Sequence, residues 1–183
     1  PARQKRDDRT GAPVTYNPDA GPDGREGRSP VHPAAVAVPA QLPPDVLHFV
    51  GRVHQLHMLD ELLPAWGAAR DDAQPVGAPH VAMVVGGAGV GKTAFAVRWA
   101  HRVRSVFPDG QLYLNLRGYA AAPPLRPIEV VSQALRALGV PTGRVPVPVD
   151  EASALFRSLV SGRRLLVLLD DARTAAQVRP VLP

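Results

Sequence analysis

Apolar and polar positions divide this chain into two unlike parts. Residues 1–44 show no apolar periodicity, and stretches such as NPDAGPDGREGRSP and VHPAAVAVPAQLPPD are dominated by Pro, Gly, Asp and Arg. Such a segment buries too little apolar surface to offset the entropy of ordering it, so residues 1–44 are expected to form a disordered linker. From Asp45 the pattern changes. Val53, Leu56, Leu59, Leu62 and Leu63 recur at helical spacing. Val81–Val85 is a continuous apolar run, as expected of a strand buried on both faces. A helix is expected from Gly91 to about Arg104, a turn at the FPDG of Phe107–Gly110, and a strand over Gln111–Leu116. In that strand Tyr113 alternates with Leu112 and Leu114, which predicts one face less buried than the other. Pro127–Leu138 reads as a helix opened by proline and stopped by Gly139. Asp150 is placed to cap a helix running to Val160 and ending at Gly162. RLLVLLDD reads as a third strand, and Thr174–Val178 as a short helix. Strands alternating with helices predict an α/β domain with a parallel sheet over residues 45–183.

Composition narrows this picture. With 45% apolar and 5% aromatic residues, the core must be built mainly from Val, Leu and Ala. The absence of cysteine excludes disulfides and thiolate-bound zinc and suits a reducing compartment. No apolar run approaches the roughly 20 residues of a membrane-spanning helix, and PARQKRDD has no apolar segment behind it. A cytoplasmic location, with no membrane partner, is the expectation. The net charge is +5, but the arginines are scattered among acids with no basic stripe and no interleaved aromatics. Direct nucleic-acid binding by this segment is therefore not expected. A start at Pro1 and a stop just after an apolar stretch suggest a piece of a longer protein.

The sharpest chemical signal is Gly86-Gly87-Ala88-Gly89-Val90-Gly91-Lys92-Thr93, which fits G-x-x-x-x-G-K-[ST] between an apolar run and a helix. Glycines let successive backbone N–H groups converge on one anion. The following helix adds its N-terminal partial charge. Lys92 would reach the β and γ phosphates, and the Thr93 hydroxyl would ligate Mg²⁺. The bland alternative is a glycine turn that only joins two elements, and the flanking context argues against it. LLVLLDD supplies the acid such a site needs. Asp170 is expected to hold the Mg²⁺ water shell, while Asp171 either orients the attacking water or caps the next helix, and it can do both.

Other candidates have weaker support. His54 and His57 are three apart, a spacing open to a metal pair, but no acid or third histidine accompanies them. Arg98, Arg102 and Arg104 could reach a phosphate or a partner, although a solvated face explains them more simply. Trp66 and Trp99 read as packing residues. Arg117 and Arg126 are the candidates for an arginine finger or an acceptor site.

LPPDVLHFVGRVHQLHMLDELL, VVGGAGVGKTAFAVRWAH, FPDGQLYLNLRGY, LRALGVP and SGRRLLVLLDDARTAAQVRPVLP occur in this order. Together, from about Leu42 to Pro183, they resemble the NB-ARC nucleotide-binding domain of STAND-class P-loop NTPases, and most closely that of bacterial AfsR-like transcriptional regulators. The resemblance implies a P-loop fold binding ATP or ADP with Mg²⁺. It implies that the segment Phe49-Val50-Gly51-Arg52 folds over the adenine with the arginine near the base. The family commonly has an acid where Gln55 stands, and many AfsR-like members have Asn where Asp171 stands; a carboxylate there leaves hydrolysis open. In this class a further strand inserts between the Walker B strand and the P-loop strand. That strand, a sensor residue and the ARC and winged-helix regions would lie beyond Pro183, so only the N-terminal part of the domain is expected here. The implied function is a switch with at most slow ATPase activity: ADP holds a closed state, ATP permits homo-oligomerisation, and DNA is reached only through a domain outside this chain. The alternatives are a productive P-loop ATPase or kinase, and an inactive fragment serving as an interaction module.

Overall fold

The computed structural model describes residues 38–63 and 80–182. Most of the expected linker, Trp66 and residues 67–79 lie outside the described residues. The described elements are α1 (Val53–Asp60), α2 (Lys92–Val103), β1 (Gln111–Asn115), α3 (Pro127–Ala137), α4 (Val149–Val160), β2 (Leu166–Asp170) and α5 (Ala175–Val178). Single 3₁₀ turns follow α2 and α5 and precede α4.

β1 and β2 pair in parallel, with Leu112 opposite Val167, Tyr113 opposite Leu168 and Asn115 opposite Asp170. Side chains alternate across a sheet, so this register sorts the strands into two faces. Leu112, Leu114, Val167 and Leu169 share one face. They belong to a core completed by Val130, Val131, Ala134 and Leu135 of α3 and by Ala152 and Phe156 of α4. Gln111, Tyr113, Asn115, Leu168 and Asp170 share the other face. β1 is buried at alternate positions, as its sequence predicts, whereas β2 is half-buried throughout.

Helix ends follow local chemistry. α3 starts at Pro127 behind a capping box in which the Glu129 carboxylate accepts from the Arg126 N–H at 2.7 Å. The Arg126 guanidinium, bonded to Glu129, holds that carboxyl below its usual range. Gly139, at φ 91°, supplies the left-handed residue that ends the helix. α4 begins at Val149, so Asp150 is not its cap. It lies with Glu151 in the first turn, where a carboxylate still favours the helix dipole. α1 ends at Asp60, and Leu62 and Leu63 fall in the turn beyond it rather than on the helix.

Two departures from the sequence reading bear on function. The first concerns residues 38–44. Ala40 forms a parallel bridge to Gln111; the Gln111 N–H donates to Pro39 O, and the Gln41 N–H donates to Gln111 O. Pro39 to Gln41 therefore belong to the folded unit, lying on the edge of β1 away from β2. The backbone at Gly110 accommodates this, since a Cβ there would lie 2.6 Å from Pro39 Cδ. The second departure is that Val81–Val85 is not a strand. It has no β-pairing, and Val81, Met83 and Val85 are 68%, 83% and 77% exposed. An apolar run specifies a preference for burial but not the neighbour that provides it. Among the described residues the only pairings are β1 with β2 and the bridge at Ala40.

Candidate functional site

The glycine loop turns directly into α2. Gly89 and Gly91 hold left-handed backbones, φ 72° and 83°, that a side chain would strain. Gly91 is the N-cap of α2, and its carbonyl accepts the first helical bond, from the Phe95 N–H at 3.0 Å. Unlike α3 and α5, α2 has no capping box, and no acid stands in its first turn. Its leading N–H groups are thus left to another acceptor. The Lys92 ammonium lies across the loop and donates to Gly86 O at 3.0 Å and Gly87 O at 2.8 Å. Backbone geometry, helix end and cation converge on one small exposed region, the combination that binds anions.

α2 and β2 meet at Thr93 and Asp170. The Thr93 hydroxyl donates to the Asp170 carboxylate, 2.9 Å from Oδ1 and 3.1 Å from Oδ2. Tyr113 approaches the same group from the sheet, its hydroxyl donating to Asp170 Oδ2 at 2.9 Å. Partial burial, and then this bond to a carboxylate, push the Tyr113 phenol up to about 12, so it remains a donor at neutral pH. In the sequence Tyr113 marks only the less buried face of β1. Its proximity to Asp170 depends on the β1–β2 register, which no local pattern shows.

Asp171 is built into the loop beside the site. It adopts a left-handed backbone, φ 53°, rare for a non-glycine residue. Its carbonyl accepts from the Gly118 N–H at 2.7 Å, and its carboxylate Oδ2 accepts from the Tyr119 N–H at 3.1 Å. Asp171 does not cap the next helix. Thr174 does so, in a capping box with Gln177. Gln177 is buried and ties the two loops together: its amide donates to Leu116 O and Leu125 O, both at 3.0 Å, and its carbonyl accepts from the Arg173 N–H at 2.9 Å. A Cβ at Gly118 would collide with Asp171 O and lie 2.8 Å from Arg173 N. Gly118→Ala should therefore lower stability by about 1–3 kcal/mol, the usual range for overpacking, as read from the shift in a urea unfolding midpoint.

The segment 49–52 reaches this region in part. Arg52 has a left-handed backbone and directs its guanidinium to the carbonyls of Val90 and Gly91. Phe49 lies against Phe95 of α2, ring centroids 6.4 Å apart. Val50 is 89% exposed and Gly51 is left-handed at φ 81°. Arg52 is thus joined to the glycine loop, and Phe49 to its helix.

The remaining candidates take structural roles. Arg98 pairs with Asp45 at 2.6 Å and Arg102 with Asp60 at 2.9 Å, so α2 is held to the segments before it rather than presenting a purely solvated arginine face. The Trp99 indole donates to Asp60 Oδ1 at 3.0 Å. His101 Nε2 lies 2.7 Å from Pro43 O. Contrary to the sequence expectation an acid does accompany the histidines, since His57 faces Asp60 at 4.0 Å, but no group of three or more His, Cys, Asp or Glu among the described residues could hold a metal. Arg126 is paired with Glu129 at 3.1 Å. It lines, with Arg117 and Arg136, an open groove of about 490 Å³ along α3, none of whose lining residues belongs to the glycine loop. No helix among the described residues is long and apolar enough to cross a membrane.

No family model and no solved structure matches the chain. Two curated proteins do, both called regulatory protein AfsR. The one from Streptomyces coelicolor is 48% identical over 145 residues and the one from Streptomyces griseus 46% over 145 residues. Each alignment covers 79% of this chain and 14% of the relative, so the chain spans only a small part of their length. Over those 145 residues the chain is homologous to one segment of the AfsR regulatory proteins.

Proposed function

We propose that this chain carries the phosphate- and Mg²⁺-binding part of an ATP/ADP switch in an AfsR-like transcriptional regulator, with the P-loop fold of an NB-ARC domain. One observation carries the reading: the Thr93 hydroxyl and the Asp170 carboxylate meet at 2.9 Å although 77 residues separate them in sequence. A glycine turn that merely joined two elements would have no need of an acid from a distant strand at its helix start. Mg²⁺ is held by one or two protein oxygens plus phosphate oxygens and water, and it neutralises phosphate charge. A hydroxyl beside a carboxylate, next to a cradle with a lysine, matches that donor set.

In this assignment Gly86, Gly87, Ala88, Gly89, Val90 and Gly91 surround the phosphates with backbone N–H groups, and Lys92 supplies the countercharge. Thr93 and Asp170 serve the metal. Phe49, Val50, Gly51 and Arg52 form the base-binding side. Asp171 is the residue available to orient water, and its bond to the Tyr119 N–H leaves one carboxylate oxygen for that task. In this reading binding is tight and hydrolysis slow, with ADP holding one conformation and ATP another that homo-oligomerises. Nucleotide can drive such a change only by binding the two states unequally. The similarity to regulatory proteins favours this reading over a kinase or motor, for which Arg117 and Arg126 beside α3 are the candidate arginine fingers. Any DNA contact is assigned to a region outside this chain.

Turnover is the discriminating measurement. Purified chain with ATP and Mg²⁺ should retain nucleotide and release phosphate far below the roughly 1–10³ s⁻¹ of ordinary enzymes. Sustained turnover within that range would replace the switch by a productive ATPase.

A further inference from the structure

Tyr113 lies outside the glycine motif and the aspartate pair, yet it makes the second side-chain contact to Asp170. The geometry points to Tyr113 as a positioning residue, whose phenol holds the Asp170 carboxylate in the orientation that serves Mg²⁺ at Thr93. This inference rests on the nucleotide reading above and adds to it a residue that acts through another.

The placement follows from the register. Asn115 is directly opposite Asp170, and Tyr113 is one same-face position back, opposite Leu168. A long aromatic side chain spans such a diagonal across neighbouring strands, and the hydroxyl arrives 2.9 Å from Asp170 Oδ2. Asn115 faces the aspartate more directly, but its side-chain oxygen accepts from the Arg117 N–H at 2.9 Å. The carboxylate is thereby gripped from two sides, by Thr93 on α2 and by Tyr113 on β1. An ionised carboxylate offers about four acceptor positions, so two donors still leave lone pairs for metal-bound water. The two grips differ in what else they do. Thr93 is itself assigned to Mg²⁺: its hydroxyl would offer a lone pair to the metal while its O–H keeps donating to Asp170. Tyr113 is assigned no metal contact, so removing its hydroxyl tests the orientation of Asp170 alone. Hydrogen bonds that orient a ligating carboxylate typically change metal affinity about 10–100-fold when removed.

Tyr113→Phe retains the ring and removes only the hydroxyl, so it isolates the contact from packing. ADP affinity would be measured by calorimetry in EDTA and across a Mg²⁺ series, and the thermal midpoint would be recorded for each variant. The expected result is unchanged ADP affinity in EDTA, an apparent Mg²⁺ affinity about 10–100-fold weaker, and little change in thermal midpoint. Asp170→Asn should remove most of the Mg²⁺-dependent gain, and adding Tyr113→Phe to it should have no further effect on Mg²⁺, the signature of one residue acting through the other. The positioning role is overturned if Tyr113→Phe binds Mg²⁺ as the parent does, or if it weakens ADP equally in EDTA and in Mg²⁺. A folded parent that binds no ADP under either condition would instead remove the nucleotide reading, and this proposal with it.

Discussion

Lys92→Ala is expected to lose nucleotide binding while remaining folded. Lys92 is the first residue of α2, half-exposed, and its ammonium bonds only to the carbonyls of its own loop, Gly86 and Gly87. No core contact depends on it. A hydrogen bond to a charged partner contributes about 1.5–3 kcal/mol, which alone corresponds to about 10–150-fold in affinity. If the proposed site holds, the loss should exceed this, because the same cation would serve more than one phosphate in a loop with no other lysine or arginine of its own. Calorimetric titration with ADP should show binding to the parent and none to the variant at the same concentrations. The thermal midpoints should agree closely. A variant that retains the parent's affinity would mean that the glycine loop is only a connection.

The largest effect on stability is expected at Phe156. Its side chain is 1% exposed and stands in α4 against the cluster formed by β1 and α3. Truncating a buried phenylalanine to alanine typically costs about 3–5 kcal/mol, partly lost transfer energy and partly a cavity that the surroundings cannot fill. Small domains hold only about 5–15 kcal/mol in total, so Phe156→Ala should remove a large fraction of the cooperative unfolding transition. Few aromatic residues are available to compensate: the other fully buried members of this core are Leu, Val and Ala. A denaturant titration that gives the variant a midpoint within error of the parent would contradict this account of the core. Because Phe156 packs on the sheet face opposite Asp170, a mild variant such as Phe156→Leu should lower stability without changing the Mg²⁺ dependence of nucleotide binding.

Legibility in the sequence followed the range of the forces involved. β1, α2, α3 and β2 were readable because their signals are local: alternation of Leu112 and Leu114, glycine then periodic apolar positions, Pro127 at a helix start, and Leu166–Leu169 ending in an acid. The helix starts were harder where two capping residues compete. Asp171 and Thr174 both precede α5, and the pairing of Thr174 with Gln177 decides it, a T-x-x-Q spacing that the sequence does contain. Long-range partners were not readable. Arg98 and Asp45 lie 53 residues apart, and the Tyr113–Asp170 bond spans 57, so neither follows from any window of sequence. Val81–Val85 shows the same limit in reverse. Its apolarity is plain, but its observed exposure reflects which strands stand beside it. In the site itself, the glycine loop, Lys92, Thr93 and Asp170 were legible as a motif, and the structure brings the last two into contact. Arg52 on the loop carbonyls and Gln177 between the two loops emerged only from tertiary packing.

Whether this chain holds a nucleotide is tested most directly by denaturing the purified protein and identifying what it releases. Chromatography of the supernatant should show ADP from the parent and none from Lys92→Ala. A parent that shows a cooperative unfolding transition yet releases no nucleotide, and takes up none when incubated with ADP and Mg²⁺, would contradict the nucleotide reading.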